Sequence, residues 1–143
     1  MSTRCQVKLI EEWLNGQGDT FTVYRHSGGY PRSVIEDIKK AYEISGGRLR
    51  AGRAGNAASY LCASAPGVFE PEKSEDLHGD ILYYYKLYLV NNSKRFAGDA
   101  KPYWEVEIFK IKVDRKELRF KGLKRIKKRT KLEDIDFSGL ENL

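Results

Sequence analysis

The chain has 143 residues (16.4 kDa), of which 41% are hydrophobic, 32% charged and 12% aromatic, with a mean hydropathy of −0.59. That supplies one core of ordinary domain size; no apolar stretch approaches the roughly 20 residues a membrane-crossing helix needs, and the aromatic content excludes wholesale disorder. The net charge of +6 is segregated: residues 1–109 hold 14 basic and 14 acidic side chains, residues 110–131 hold 12 basic against 2 acidic, and residues 132–143 hold four acidic ones.

Arg4 to Leu14 alternates as a strand, with Cys5, Val7 and Leu9 on one face and Gln6 and Lys8 on the other. Asn15-Gly16-Gln17-Gly18 marks a turn, and Thr20 to Tyr24 returns as the second strand of a hairpin. A four-residue loop there pairs Leu14 with Asp19 and brings Arg4 beside Gly29. After Ser27-Gly28-Gly29-Tyr30, Pro31 opens a helix with Val34, Ile35, Ile38, Ala41 and Tyr42 at helical spacing, ending near Ile44 before Gly46-Gly47. A second helix is predicted from Asn56, as N-cap, to Ala65, stopped by Pro66-Gly67.

Residues 70–79 are expected as an acidic loop. Strands follow over Asp80–Val90, whose tyrosines read as sheet core, and over Tyr103–Val113, where a slip in alternation predicts a bulge near Ile108. Asn91–Lys101 is a loop between them. Glu117–Phe120 and Lys124–Ile126 read as a further short strand or an irregular excursion around Gly122. The expectation is an α+β domain over residues 1–131, an antiparallel sheet of four or five strands with two helices on one face in the order ββααββ[β], and an acidic C-terminal tail over 132–143.

Two consecutive helices joined by a turn return the chain to the end of the sheet it left. The end of the second strand and the start of the third therefore meet, at the two histidines of the sequence. Arg4, Arg25, His26, Tyr30, His78 and Asp80 are candidates to converge there as a ligand or anion pocket. Chemically they also suit acid/base work, or a metal held by His26, His78 and Asp80. The competing reading is that each satisfies backbone groups where strands end. No nucleophile motif, phosphate-binding loop or dinucleotide fingerprint is present, so no catalytic residue and no cofactor is assigned. Cys5 and Cys62 stand alone, which points to buried reduced thiols, and the polar start fits a cytoplasmic protein.

Ser2-Thr3-Arg4-Cys5-Gln6, Tyr24-Arg25-His26 with Gly29-Tyr30-Pro31, and His78-Gly79-Asp80-Ile81 with Tyr83 resemble the recurring blocks of a family of small uncharacterised proteins from phages, prophages, bacteria and archaea. Ser27 and Gly28 stand where that family tends to have Trp and Asp. The resemblance covers residues 2–88 in three short blocks and implies a mobile-element or microbial origin.

The basic segment interleaves its charges with Phe109, Ile111, Val113, Leu118, Phe120, Leu123 and Ile126, a mixture that binds phosphates while docking on a core. Lys121, Lys124, Arg125, Lys127, Lys128 and Arg129 are its candidate nucleic-acid contacts. Arg48, Arg50 and Arg53, among the glycines of the helix connection, are further candidates at the opposite end of the sheet from the histidines. Lysines on a solvated edge strand explain the same run without a ligand. The function expected is a non-catalytic nucleic-acid-binding module. The alternatives are a homodimeric assembly protein, given the surplus of aromatics, or the histidine site as an enzyme or metal centre.

Overall fold

A computed structural model describes residues 3–72, 76–98, 101–114, 116 and 119–140. Six strands and two helices follow in the order β1 (Cys5–Trp13), β2 (Gly16–Arg25), α1 (Pro31–Ser45), α2 (Ala54–Ser64), β3 (Phe69–Pro71), β4 (Tyr83–Val90), β5 (Tyr103–Asp114) and β6 (Arg119–Lys131). They build one sheet in the order β3-β2-β1-β4-β5-β6. The α+β class is as expected, but the sheet is larger and mixed: β1 pairs antiparallel with β2 and parallel with β4, from Cys5 opposite Tyr83 to Glu12 opposite Val90. The helical excursion makes this parallel pairing, since a chain returned to its starting end can run alongside β1 only in β1's own direction.

Alternation sorts the sheet into two faces. Cys5, Val7, Leu9, Val23, Tyr85, Leu87, Leu89, Trp104, Val106 and Ile108 join Val34, Ile35 and Ile38 of α1 and Ala57 and Leu61 of α2 in one core. Each such aliphatic or aromatic side chain contributes roughly 1.5–3 kcal/mol by leaving water. Helix α1 starts at Pro31 and stops where Gly46 turns left-handed (φ +66°), its N–H donating to the carbonyls of Tyr42 and Glu43. Helix α2 starts two residues before Asn56, and its cap comes from another element. The buried Glu11 carboxylate on β1 accepts from the Ala54 N–H (2.8 Å) and from Trp13 Nε1 (2.9 Å).

The first hairpin turns in two residues, Trp13 pairing with Gly16 and Cys5 with Arg25, so the four-residue loop is not formed. Arg4 nevertheless lies against Gly29, because the chain folds back past β2 and the Gly29 N–H donates to Thr3 O (2.8 Å). A side chain at 29 would put its Cβ 2.9 Å from that oxygen, so the approach requires glycine.

Strand β5 pairs with β4 without interruption, and the irregularity predicted near Ile108 falls in its pairing with β6, whose register shifts on both sides of Ile108, while the change of alternation has a further cause. Phe109 and Ile111 face the opposite side of the sheet, where they pack with Leu77 and Leu123 against Tyr24, Ile81 and Tyr84 in a second cluster. The bulges are in β6, which sets thirteen residues against ten of β5 through three register shifts. One continuous edge strand therefore replaces the short strand expected around Gly122; the earlier part of that prediction, Glu117 and Leu118, lies outside the described residues. Of the predicted acidic tail, Leu132 and Leu140, in 3₁₀ turns over Leu132–Asp134 and Phe137–Leu140, and Ile135 between the turns are buried in the main core. Glu141 to Leu143 lie outside the described residues.

Candidate nucleic-acid interface and the histidine cluster

The end of β2 and the approach to β4 do meet. His26 and His78 flank Tyr24, His78 stacked on its ring (centroids 4.4 Å, 24° between planes) and His26 edge-on (4.6 Å, 86°). The Tyr24 hydroxyl donates to Asp80 Oδ2 (2.9 Å), and Arg4 Nη1 approaches the same oxygen at 3.4 Å. His78 Nε2 lies 2.9 Å from Glu72 and its Nδ1 4.0 Å from Asp80, while His26 Nε2 lies 2.6 Å from Glu70. Burial, reinforced by the Asp80 hydrogen bond, pushes the Tyr24 phenol up to about 12. The segment before β4 is latched to the sheet by buried Gln6, which donates to Asp76 O and accepts from the His78 N–H.

Arg4, His26, His78 and Asp80 thus share the sheet face away from the helices. Arg25 and Tyr30 do not join them. The alternation of β2 turns Arg25 to the helix side, where it binds Asp37 (2.5 Å) and Ser27 O (2.7 Å) and lies over Phe69 (4.8 Å). Tyr30 tilts against Tyr83 on that side, with centroids 6.0 Å apart. The two histidines address different carboxylates on opposite sides of a tyrosine ring. Among the described residues no group of three or more His, Cys, Asp or Glu side chains is placed to hold a metal ion. A cleft of about 230 Å³ adjoins His78, lined by Leu77, Gly79, Ile111, Val113 and Phe120. The carboxylates already engage the histidines and Arg4, although His26, Glu70, Arg4 and Asp80 stay about half exposed and Arg4 Nε has no hydrogen-bond partner among the described residues.

The basic run is divided by what its side chains meet. Arg129 lies across Tyr88 (3.9 Å to the ring centroid), holds both oxygens of Glu12 and places Nε 2.5 Å from Glu105, a pairing that raises its pKa. Arg125 reaches Glu107 (3.3 Å), which also accepts from the Tyr88 hydroxyl (2.8 Å). These two arginines tie the edge strand to the sheet. Lys121, Lys124 and Lys128 are exposed and Lys127 half-buried, and none forms an ion pair with a described carboxylate. Pairing of β4 with β5 stops at Lys110, so the hairpin runs on past the sheet as a two-stranded ribbon, with Val113 (45% exposed) and Phe120 (54%) uncovered.

At the other end, the connection between the helices forms a 3₁₀ turn over Leu49–Gly52. It is fixed from below, Ala51 O accepting from Trp104 Nε1 (2.7 Å) and Gly52 O from Asn91 Nδ2 (3.1 Å). Arg48 and Arg50 project from it, exposed and without a described carboxylate partner. Arg53 lies over Trp13 (5.1 Å) and Phe96 (5.5 Å), and Arg95 contacts the same Phe96 ring at 5.0 Å. Sequence reasoning missed Arg95 and Phe96. The available signal was Lys94-Arg95-Phe96, an aromatic beside two bases in a short loop.

No protein-family model, curated protein or solved structure matches the chain. Among the described residues no helix is long and apolar enough to cross a membrane.

Proposed function

We propose that this protein is a non-catalytic nucleic-acid-binding module whose main contact surface is the β5–β6 ribbon. The observation that carries the reading is the division of labour within β6: Arg129 is held by Glu12 and Glu105 and Arg125 reaches Glu107, while Lys121, Lys124 and Lys128 form no ion pair with a described carboxylate and Lys127 has the charge of Asp136 near it. A row of unpaired ammonium groups on a rigid strand neutralises backbone phosphates and releases their counterions. Beyond Lys110 the two strands run free of β4, and that ribbon, which carries Lys121, has the dimensions to enter the major groove of a duplex, while Lys124, Lys127 and Lys128 line the sheet edge behind it. The three bulges twist the edge and oppose strand addition, which keeps the lysines in solvent.

The test is fluorescence anisotropy with a labelled duplex at about 50 and 200 mM salt, where several phosphate contacts separate the curves by orders of magnitude. Steep salt dependence that K121Q/K124Q/K127Q/K128Q removes supports the reading. Salt-independent or absent binding at low salt overturns it.

Association between copies of the chain is a second reading, favoured by the uncovered Val113 and Phe120 at the ribbon's end. A dimer in light scattering that V113S/F120S abolishes supports it, and a monomer at high concentration removes it.

A further inference from the structure

The loop after β4 contains a backbone conformation its residue does not favour. Ala97 N–H donates to Lys94 O (3.1 Å), closing a four-residue turn whose third residue is Phe96 with φ +72°. That is the position of a turn where glycine or asparagine is usual, because a side chain there crowds the backbone. A bulky aromatic with positive φ is an outlier, and such strain persists where the surroundings impose it and collects at functional positions. Here the surroundings are visible. Leu14 N–H donates to Ser93 O, Arg95 N–H to Asn15 Oδ1, and Arg95 Nη2 to Asp19 Oδ2, tying the loop to the first hairpin.

The strain is not balanced by burial of the side chain. Phe96 is 77% exposed, the most exposed of the large hydrophobic residues described. Arg53 and Arg95 lie within 5.5 Å of its ring centroid, yet that exposure leaves most of the ring open to solvent. Arg53 is itself sandwiched between Phe96 and Trp13, a residue at the end of β1, so the ring's setting is anchored to the centre of the sheet. Arg48 and Arg50 stand on the adjoining 3₁₀ turn, exposed and unpaired among the described residues. The result is an open aromatic face set among guanidinium groups at a rigid end of the sheet.

We infer that the Phe96 turn is a stacking site for an unpaired nucleobase of a single-stranded nucleic acid, with Arg48, Arg50 and Arg53 contacting the flanking phosphates while Arg95, held by Asp19, sets the ring. A single strand offers an unpaired π-face at every base whereas a duplex offers one only at each end, and guanidinium groups beside an aromatic ring suit a ligand that is both flat and anionic. The site deepens the nucleic-acid reading but stands at the other end of the sheet from the free hairpin end of the lysine ribbon, so each can fail alone.

The experiment compares a labelled oligothymidine of about 15 nucleotides with a blunt duplex of equal length, for the parent chain, F96A, F96W and K121Q/K124Q/K127Q/K128Q. F96A is expected to weaken single-strand binding by roughly 5- to 100-fold, to leave duplex binding within about twofold, and F96W to restore single-strand affinity. F96N tests folding separately: with the side chain that turn prefers, it is expected to melt no lower than the parent while binding the single strand as weakly as F96A. Single-strand affinity unchanged in F96A, or equal losses on both probes, overturns the inference and leaves the ribbon reading standing. A Phe96-dependent single-strand signal without duplex binding supports this site and overturns the ribbon reading. Absence of binding to either probe overturns both.

Discussion

The two ends of the sheet carry similar residues and arrive at opposite states. At the end where β2 stops, Arg4, His26 and His78 meet Asp80, Glu70 and Glu72 over the ring of Tyr24, so each charge has an intramolecular partner. At the end where β1 stops, guanidinium groups gather around Phe96 and Trp13 with Asp19, on Arg95, as the carboxylate partner among the described residues, and Arg48 and Arg50 stay unpaired. Topology and residue type together offered the histidine end as a candidate pocket beside the basic segment. Pairing reverses that: a cluster whose members satisfy one another has little left to offer a ligand, whereas unpaired cations beside an open ring have both charge and surface to offer.

The largest effect that sharpens this contrast is alkaline. Burial pushes the Cys5 thiol, at the start of β1, from 9.0 up to about 12, opposed by Arg25, and Tyr24 rises to about 12 as well. Below about pH 8 these groups are neutral in folded and unfolded chains, so they contribute no pH dependence. As pH rises from about 8 towards 12 the unfolded chain ionises them while the folded chain keeps its protons, and stability is lost over that window, by up to about 4 kcal/mol for Cys5 alone. Denaturant midpoints measured between pH 8 and 11.5 should fall with pH, and C5A should flatten the fall. A parent curve with no slope there would contradict the burial of Cys5 and of the Tyr24 ring.

Next in size is binding. The fourfold lysine variant K121Q/K124Q/K127Q/K128Q should lose roughly 100-fold in duplex affinity at about 50 mM salt and reduce the salt slope by about 3 to 4. H26Q/H78Q should change neither. If the histidine variant matched the lysine variant, the closed end would be an interface after all.

How much of this was legible depended on how local each cause is. Helix α1 was readable because Pro31, the spacing of Val34, Ile35 and Ile38, and Gly46 all lie within its own segment. The meeting of His26 with His78 followed from topology alone, even though the hairpin register used to place Arg4 was wrong. Strand β3 has three residues, too few for a period to show, and falls in what read as an acidic loop. The N-terminus of α2 is set by Glu11, 43 residues away, so no local cap could mark it. The apparent slip in β5 was a change of what covers the strand: Ile81 and Leu77 bury Phe109 and Ile111 on the face that is polar farther along. Phe96 escaped because its significance lies in a backbone angle and in Arg53, which reaches it from another element.

Glu11 gives the third test. E11A leaves the Trp13 Nε1 and Ala54 N–H donors unpaired in a buried setting and should cost about 2 kcal/mol. Because Trp13 supports Arg53, hydrogen exchange should quicken first at residues 51–57 and leave the β2–β3 pairing protected. Uniform loss of protection would mean that the two ends are not separable.

The smallest effect falls at the closed end. D80N retains the shape of the side chain and an acceptor for the Tyr24 hydroxyl but removes the charge facing Arg4 and His78. Arg4 and Asp80 are each more than two-fifths exposed, so solvent screens their pair and the expected loss of stability is below about 1 kcal/mol. The Tyr24 phenol should ionise at lower pH in D80N, since the anion opposing its ionisation is gone, and ultraviolet titration of the tyrosinate band reads this directly. A phenol that titrates unchanged would show that burial alone governs Tyr24 and that Asp80 is a spectator. A loss of stability well beyond 1 kcal/mol would show the reverse, that the carboxylate holds together the segment carrying His78.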